Sequence, residues 1–117
     1  MKSLSLIVIM VISLAFLAPP GSQKRAYKHF FKGTISYGEG HFRNASQHFG
    51  RAYDILPDNY SIALSLAVSL AQAGETAKAI KVFDRCAGLF SRRDPDYQQK
   101  KATLAFSGGL IYCYAKK

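Results

Sequence analysis

Cysteine is scarce in this chain of 117 residues, which contains only Cys86 and Cys113. Two cysteines are too few for the disulfide framework of a small secreted domain, and their spacing fits no metal-ligand motif. If the chain is exported, the two could bond. The alternative is that Cys86 serves as a small core residue and Cys113 as a helix-packing residue. The sequence leaves both readings open.

Acidic residues are also few, with 7 Asp and Glu against 16 Lys and Arg, so the formal net charge is +9. The carboxylates lie apart, many of them in predicted turns and helix caps, and form no general acid and base pair. His29, His41 and His48 lack the paired spacing and intervening Glu of a zinc helix. We therefore predict a protein that is not an enzyme and holds no cofactor or metal. The positive charge favours acidic partners, anionic lipid or nucleic acid.

No apolar run reaches the roughly 20 residues that a membrane-spanning helix normally needs. The longest, from Leu4 to Ala18, follows one lysine and ends in Pro19-Pro20-Gly21, which is the layout of a secretion signal. Because a proline follows Ala18, cleavage there is disfavoured, and a retained anchor stays open beside a cleaved signal. We assign residues 1–21 to a signal peptide or N-terminal membrane anchor. The chain is then exported (periplasmic or extracellular) or membrane-anchored; a buried helix of the domain is the weaker alternative, since the run has no polar face.

The sequence repeats itself at a shift of 34 residues. The matching pairs are Gly40 with Gly74, Ala45 with Ala79, Phe49 with Phe83, Arg51 with Arg85, Ala52 with Cys86, and Ile55 with Leu89. Self-similarity at this period is typical of helical repeat proteins, in which each unit is a pair of antiparallel helices. Apolar periodicity within each unit predicts helices over 26–38, 42–56, 60–73 and 77–90.

Glycine and proline predict where these helices end. Gly40 and Gly74 can adopt positive φ and so close the first helix of each unit. Pro57 stops the second helix of the first unit, and Asp58 or Asn59 is expected to cap the helix that follows.

Two further helix starts are predicted from capping residues. Thr76 is expected to cap the helix that follows Gly74. In Asp94-Pro95-Asp96, the first Asp is expected to cap a last helix, with Pro95 in its first position and Asp96 near the positive end of its dipole.

Small residues recur where the helices are predicted to touch, and we expect them to let helix axes approach to about 8 Å. These positions are Gly33 and Ala67 on the first helices, Ala45 and Ala79 on the second helices, and Ala52 and Cys86 beside the next hairpin. The rings of Phe49 and Phe83 are expected to fill the remaining space.

This pattern resembles the tetratricopeptide repeat family. In a unit counted from Ala26, the family's positions for small residues, for the aromatic ring and for the closing proline are occupied by Gly33, Ala45, Phe49, Ala52 and Pro57. A second unit, counted from Tyr60, matches at Ala67, Leu70, Ala79 and Phe83. The units depart from the family pattern at His29, Lys32, Cys86 and Ser91. The resemblance implies an all-α solenoid of antiparallel helix hairpins, with repeats at about 26–59 and 60–93 in a domain spanning 22–117.

A third unit begins and stops after one helix, predicted at about 95–115. Either Gly108 or Gly109 stands at its small position. The helix carries large apolar residues around its whole circumference, namely Leu104, Phe106, Leu110, Ile111, Tyr112 and Tyr114. Apolar surface of this kind favours cover by a partner protein, by self-association of a second copy, or by a longer parent chain.

The resemblance implies a protein–protein interaction scaffold whose first helices line a concave groove for a peptide or helix of a partner protein. The groove positions correspond to Tyr27, Thr34, Tyr37, Ser61, Val68 and Gln72. Phe30 and Leu64 stand at similar positions and either line the groove or pack between helices. The family's chaperone-tail clamp needs Lys and Asn where Phe30 and Thr34 stand, so that partner is not expected.

The alternative function is a basic module that binds an anionic membrane surface or nucleic acid. The stretch KRAYKHFFK, residues 24–32, interleaves cations with aromatic side chains. Because it directly follows the apolar run, membrane proximity is its simpler explanation. Nucleic acid is not an expected partner, since no recognised nucleic-acid module accompanies the stretch.

Overall fold

The computed structural model describes residues 20–116, which form five helices and no strand. The helices are α1 (Pro20–Gly38), α2 (Phe42–Ile55), α3 (Tyr60–Gln72), α4 (Thr76–Cys86) and α5 (Tyr97–Ala115). Each of the first four helices packs against the next, and α5 contacts both α3 and α4. The predicted all-α array of two hairpins plus one helix is confirmed. The apolar run assigned to a signal or anchor lies outside the described residues.

The first helix begins earlier than predicted, at Pro20 rather than Ala26. Proline is well tolerated in the first turn of a helix, where its missing N–H would have no partner. The proline that suggested the end of the leader segment therefore starts α1, and the residues between it and Ala26 extend the helix by more than a turn.

Both hairpins turn at a glycine, as predicted. Gly40 has φ +80° and Gly74 has φ +90°. In the second hairpin the Glu75 N–H donates to Leu70 O at 2.9 Å and the Gly74 N–H to Ala71 O at 3.1 Å. The Gly40 turn has the same pair of bonds. This is the Schellman arrangement, which satisfies the last carbonyls of a helix and needs a left-handed residue at its centre.

The connection between the hairpins also follows the prediction. Helix α2 ends at Ile55, two residues before Pro57. Of the two candidate caps for α3, Asn59 is the one used, since its Oδ1 accepts a hydrogen bond from the Ile62 N–H at 3.1 Å. Asp58 instead pairs with Arg85 on α4, with Oδ1 and Nη2 3.1 Å apart.

The prediction that Thr76 caps α4 is wrong. Thr76 is the first helical residue, the preceding Glu75 takes the cap position, and no side chain bonds to the helix N-terminus there. The Schellman turn at Gly74 brings the chain into α4 one residue sooner than the cap assignment assumed.

The prediction that Asp94 caps the last helix is also wrong, because α5 begins only at Tyr97. The Asp94 carboxylate is used within the turn, where it accepts a hydrogen bond from the Ser91 N–H at 3.1 Å. It also lies 3.6 Å from Lys100 Nζ. Since the side chain is already engaged, Pro95 and Asp96 complete a turn rather than a first helical turn.

Helix α4 is shorter than predicted, ending at Cys86 instead of reaching Phe90. After Cys86 the chain turns so that the Phe90 ring packs edge-on against Tyr60, at 5.2 Å between centroids, and tilted against Tyr97 at 5.8 Å. The Tyr60 hydroxyl donates to Lys100 O at 2.8 Å. Partial burial of Phe90 against Tyr60 of α3 and Tyr97 of α5 thus competes with continuation of the helix.

The small residues occupy helix contacts as predicted. Ala45, Ala52, Ala67, Ala79 and Cys86 are all 0% exposed. A Cβ added to Gly33 would lie 2.7 Å from ring atoms of Phe49, so the ring occupies the space of the missing side chain.

The third unit repeats this contact with the preceding hairpin and decides its register. A Cβ on Gly108 would lie 2.9 Å from Phe83 Cζ, whereas one on Gly109 would meet nothing within 4 Å. Gly108 therefore takes the small position of α5.

The two cysteines are free thiols, Cys86 buried and Cys113 exposed. Burial raises the pKa of Cys86 to about 11, and its thiol donates to Val82 O at 3.4 Å. The core role proposed for Cys86 is confirmed, since the residue behaves as a small apolar side chain.

Candidate functional site: a groove between the first helices

An apolar groove of about 380 Å³ runs between α1, α3 and α5, the first helices of the three units. Its lining residues are Phe30, Thr34, Tyr37, Phe49, Leu64, Ser65, Val68 and Ser107. Since three successive units contribute to it, the groove exists only when the hairpins are stacked.

Aromatic contacts hold the wall that α1 contributes. The Phe30 ring packs tilted on Phe49, with centroids 5.4 Å apart, and the Tyr37 ring packs edge-on against Phe42 at 5.3 Å. Phe49 is only 3% exposed, and its ring lies against Gly33 at the bottom of the groove. Each of these two rings packs against a ring of α2, which restrains the wall of the groove, and a restrained site lowers the entropy cost of binding.

The groove offers apolar contact and few polar groups. No charged side chain is among its lining residues. The Thr34 hydroxyl already donates to Phe30 O at 2.9 Å, within its own helix. An apolar side chain can therefore enter without leaving a charge buried, whereas a charged one would lose its hydration without gaining a partner.

Three of the six predicted groove residues, Thr34, Tyr37 and Val68, line this groove together. Phe30 and Leu64 line it as well. Leu64 also packs on the cluster around Tyr60, so it serves both roles.

Tyr27 and Ser61 lie elsewhere. Tyr27 is 50% exposed, and its hydroxyl accepts a hydrogen bond from Asn59 Nδ2 at 3.3 Å, which connects α1 to the start of α3. Tyr27 lines a separate depression with Pro57. Ser61 is exposed on α3 and is not among the groove residues.

Gln72 also lies outside the groove, at the end of α3. Its Nε2 donates to the Tyr114 hydroxyl at 3.3 Å, which ties α3 to α5, and its Oε1 is buried. Tyr27 and Gln72 therefore contribute to contacts between units, and substituting either one is expected to change the stability of the protein.

Sequence reasoning missed three lining residues, Phe49, Ser65 and Ser107. Phe49 was predicted only as a core residue, but its ring lies at the bottom of the groove and so belongs to both the core and the groove. Ser65 directly follows Leu64, and its position next to that candidate was the available signal. Ser107 directly precedes Gly108. Because the sequence did not decide between Gly108 and Gly109 as the small position of α5, it did not predict which face of the helix Ser107 occupies.

A second feature of the first hairpin is a pair of histidines between α1 and α2. The rings of His29 and His48 stack with centroids 6.4 Å apart, and both Nδ1 atoms are buried without a hydrogen-bond partner. Burial, with the charge of nearby Arg51, lowers the pKa of His29. In the part of the chain that the structure describes, no group of three or more His, Cys, Asp or Glu is placed to hold a metal.

Helix hairpins that stack side by side, with a groove along their first helices, define a class of protein, the helical repeat proteins. The family profile described as tetratricopeptide repeat matches residues 36–104, more than half of the chain. The chain belongs to the tetratricopeptide repeat family. No curated protein and no solved structure gives a significant match.

The helices between residues 20 and 116 include none with the length and apolar content of a membrane span.

Proposed function

We propose that this protein is a non-catalytic interaction scaffold that binds an apolar peptide segment, or the apolar face of a helix, in the groove between α1, α3 and α5. The observation that carries the proposal is the lining itself: apolar side chains from the first two units and Ser107 from the third converge on one groove whose lining includes no charged residue. Family membership supports the same role, since repeat proteins of this kind offer extended concave surfaces to partners.

The chemistry of the groove defines the peptide that it would accept. Phe30, Leu64 and Val68 offer apolar contact along its length, while Thr34 and Ser65 add hydroxyl groups at the surface. We propose a partner segment with two or three large apolar residues on one face, as in helix-in-groove recognition. The protein needs no cofactor for this role.

The proposal is tested by selecting peptides from a random library on the full chain and measuring their affinities by fluorescence anisotropy. Val68→Asp places a carboxylate in the groove and is expected to weaken selected peptides about tenfold or more, since the charge would be desolvated on binding. Ala77→Asp, on the exposed side of α4, is the matched control and should leave affinity unchanged.

Two outcomes would count against the groove. Selected peptides that bind Val68→Asp as tightly as the unchanged chain use another surface, and a library that yields no binder argues against peptide recognition altogether. Circular dichroism of both variants separates loss of binding from loss of fold.

We also propose that the scaffold works after export or while tethered to a membrane. The support is the sequence of residues 1–21, with its single lysine, apolar run and terminal Pro-Pro-Gly. Mass spectrometry of the protein from cells distinguishes the forms: loss of about the first 20 residues indicates a cleaved signal. An intact chain that is extracted from membranes only by detergent indicates an anchor, and an intact chain in the soluble fraction contradicts both.

A further inference from the structure

The side of α1 that faces away from the other helices carries an amphipathic stripe. Lys24, Lys28, Phe31 and Ile35 follow one another at intervals of four, three and four residues, which places them on one face of the helix. Phe31 is 65% exposed and Ile35 is 47% exposed. We call these four residues the outer stripe of α1. About half or more of the surface of its two large apolar side chains is therefore exposed to solvent.

The charge around this stripe has one sign. Helix α1 contains Lys24, Arg25, Lys28 and Lys32 and no acidic residue. All four cations are exposed. The five ion pairs found among residues 20–116 include none of these four cations. The surface therefore combines uncompensated positive charge with exposed apolar side chains, a combination that suits the interface of an anionic bilayer.

The position of α1 in the chain points to the same occupant. The apolar run ends at Ala18, and α1 begins at Pro20. A chain held in a bilayer by that run would deliver α1 to the headgroup layer. We propose that the outer stripe of α1 lies on an anionic lipid surface, with Lys24 and Lys28 against the headgroups and Phe31 and Ile35 inserted between them.

This placement would leave the peptide groove open to water. Groove residues Phe30, Thr34 and Tyr37 lie about a third of a turn around α1 from the outer stripe, at 100° per residue. A membrane on one face and a peptide on the adjacent face can be bound together. The inference does not depend on the groove proposal, because it rests on a different face of the helix.

The test uses a single fluorescent reporter, since the chain contains no Trp. Phe31→Trp in the full chain, reconstituted into vesicles that contain brominated lipid, reports contact of residue 31 with the bilayer. The vesicles are either neutral phosphatidylcholine or phosphatidylcholine with phosphatidylglycerol. We expect a blue shift and bromolipid quenching in the anionic vesicles, and loss of both in neutral vesicles and at high salt.

Matched controls separate this contact from general proximity to the membrane. Phe106→Trp places the reporter on α5, where Phe106 is 71% exposed, and should stay unquenched in both vesicles. Lys24→Glu/Lys28→Glu, added to the Phe31→Trp chain, should abolish the quenching. The same charge change at Lys78→Glu/Lys81→Glu on α4 should preserve it.

Several results would overturn the proposal. Quenching of residue 31 that is equal in neutral and anionic vesicles would show that the apolar run alone brings it to the lipid. Absence of quenching in anionic vesicles would show that the stripe faces another occupant. A reporter that responds to oligothymidylate, and not to lipid, would assign the cations to nucleic acid.

Discussion

Phe49→Ala is the substitution that best tests how the hairpins are held together. The ring is 3% exposed, lies 5.4 Å from the Phe30 ring, and occupies the space above Gly33. Truncating a buried Phe to Ala costs about 3–5 kcal/mol in free energy of unfolding through lost burial and the cavity left behind. Because this ring also floors the groove, water can enter part of the void, and we expect the lower end, about 3 kcal/mol.

The measurement is urea unfolding of the full chain in mild detergent, followed by far-ultraviolet circular dichroism. With a slope of about 1–3 kcal/mol per molar urea, a loss of 3 kcal/mol lowers the midpoint by at least about 1 M. Phe106→Ala removes the same ring from the surface of α5 and is expected to change stability by no more than about 0.5 kcal/mol. A cost for Phe49→Ala that matches this control would refute the packing of Phe49 against Phe30 and Gly33.

A double substitution tests the contact between Gly33 and Phe49 directly. Gly33→Ala alone forces a methyl group into the Phe49 ring and should cost about 1–3 kcal/mol. In a chain that already carries Phe49→Ala, the same methyl group enters the void that the ring has left. The double variant should therefore lose less stability than the sum of the single variants, and additive costs would show that the two residues do not touch.

Three further predictions concern α5, the thiols and the histidine pair. Gly108→Ala should destabilise the protein because the added Cβ meets the Phe83 ring. Gly109→Ala meets no neighbouring atom and should stabilise the protein by up to about 1 kcal/mol through helix propensity. Equal effects of the two substitutions in urea unfolding would contradict the placement of Gly108 at the small position of α5. A thiol reagent should label Cys113 alone in the native protein and Cys86 only after unfolding, because burial raises the pKa of Cys86 to about 11; mass spectrometry that finds both labelled at once would contradict this. Because the pKa of His29 is lowered in the folded protein, the unfolded chain binds a proton more readily as the pH falls below about 6.5, so stability should decrease with falling pH. His29→Gln should reduce the dependence of the unfolding free energy on pH, as measured by urea unfolding. An unchanged pH dependence would exclude His29 as its source.

Features that depend on neighbours in sequence were predictable. The turns at Gly40 and Gly74 require a left-handed residue, and only glycine supplies it without steric cost. The 34-residue period predicted small residues at the helix contacts and the rings of Phe49 and Phe83 in the remaining space, and the contact of Gly33 with Phe49 agrees with that expectation.

Features that depend on side chains distant in sequence were not predictable. Asp94 could cap a helix by its local sequence, but its hydrogen bond to Ser91 and its proximity to Lys100 give it another role. Tyr27 and Gln72 stand at groove positions of the repeat, yet their bonds to Asn59 and Tyr114 draw them into contacts between units. The same position of the repeat can line the groove or bond to another unit, and the residues that lie next to it in the fold determine which.

The central claim is that the stacked first helices form one binding groove. The most direct measurement is a titration of the methyl-labelled full chain with a selected peptide, followed by nuclear magnetic resonance. We predict that the methyl signals of Val68 and Leu64 shift together and saturate, while that of Ile80 on α4 stays unchanged. A peptide that shifts Ile80 and leaves Val68 and Leu64 unchanged would contradict the claim.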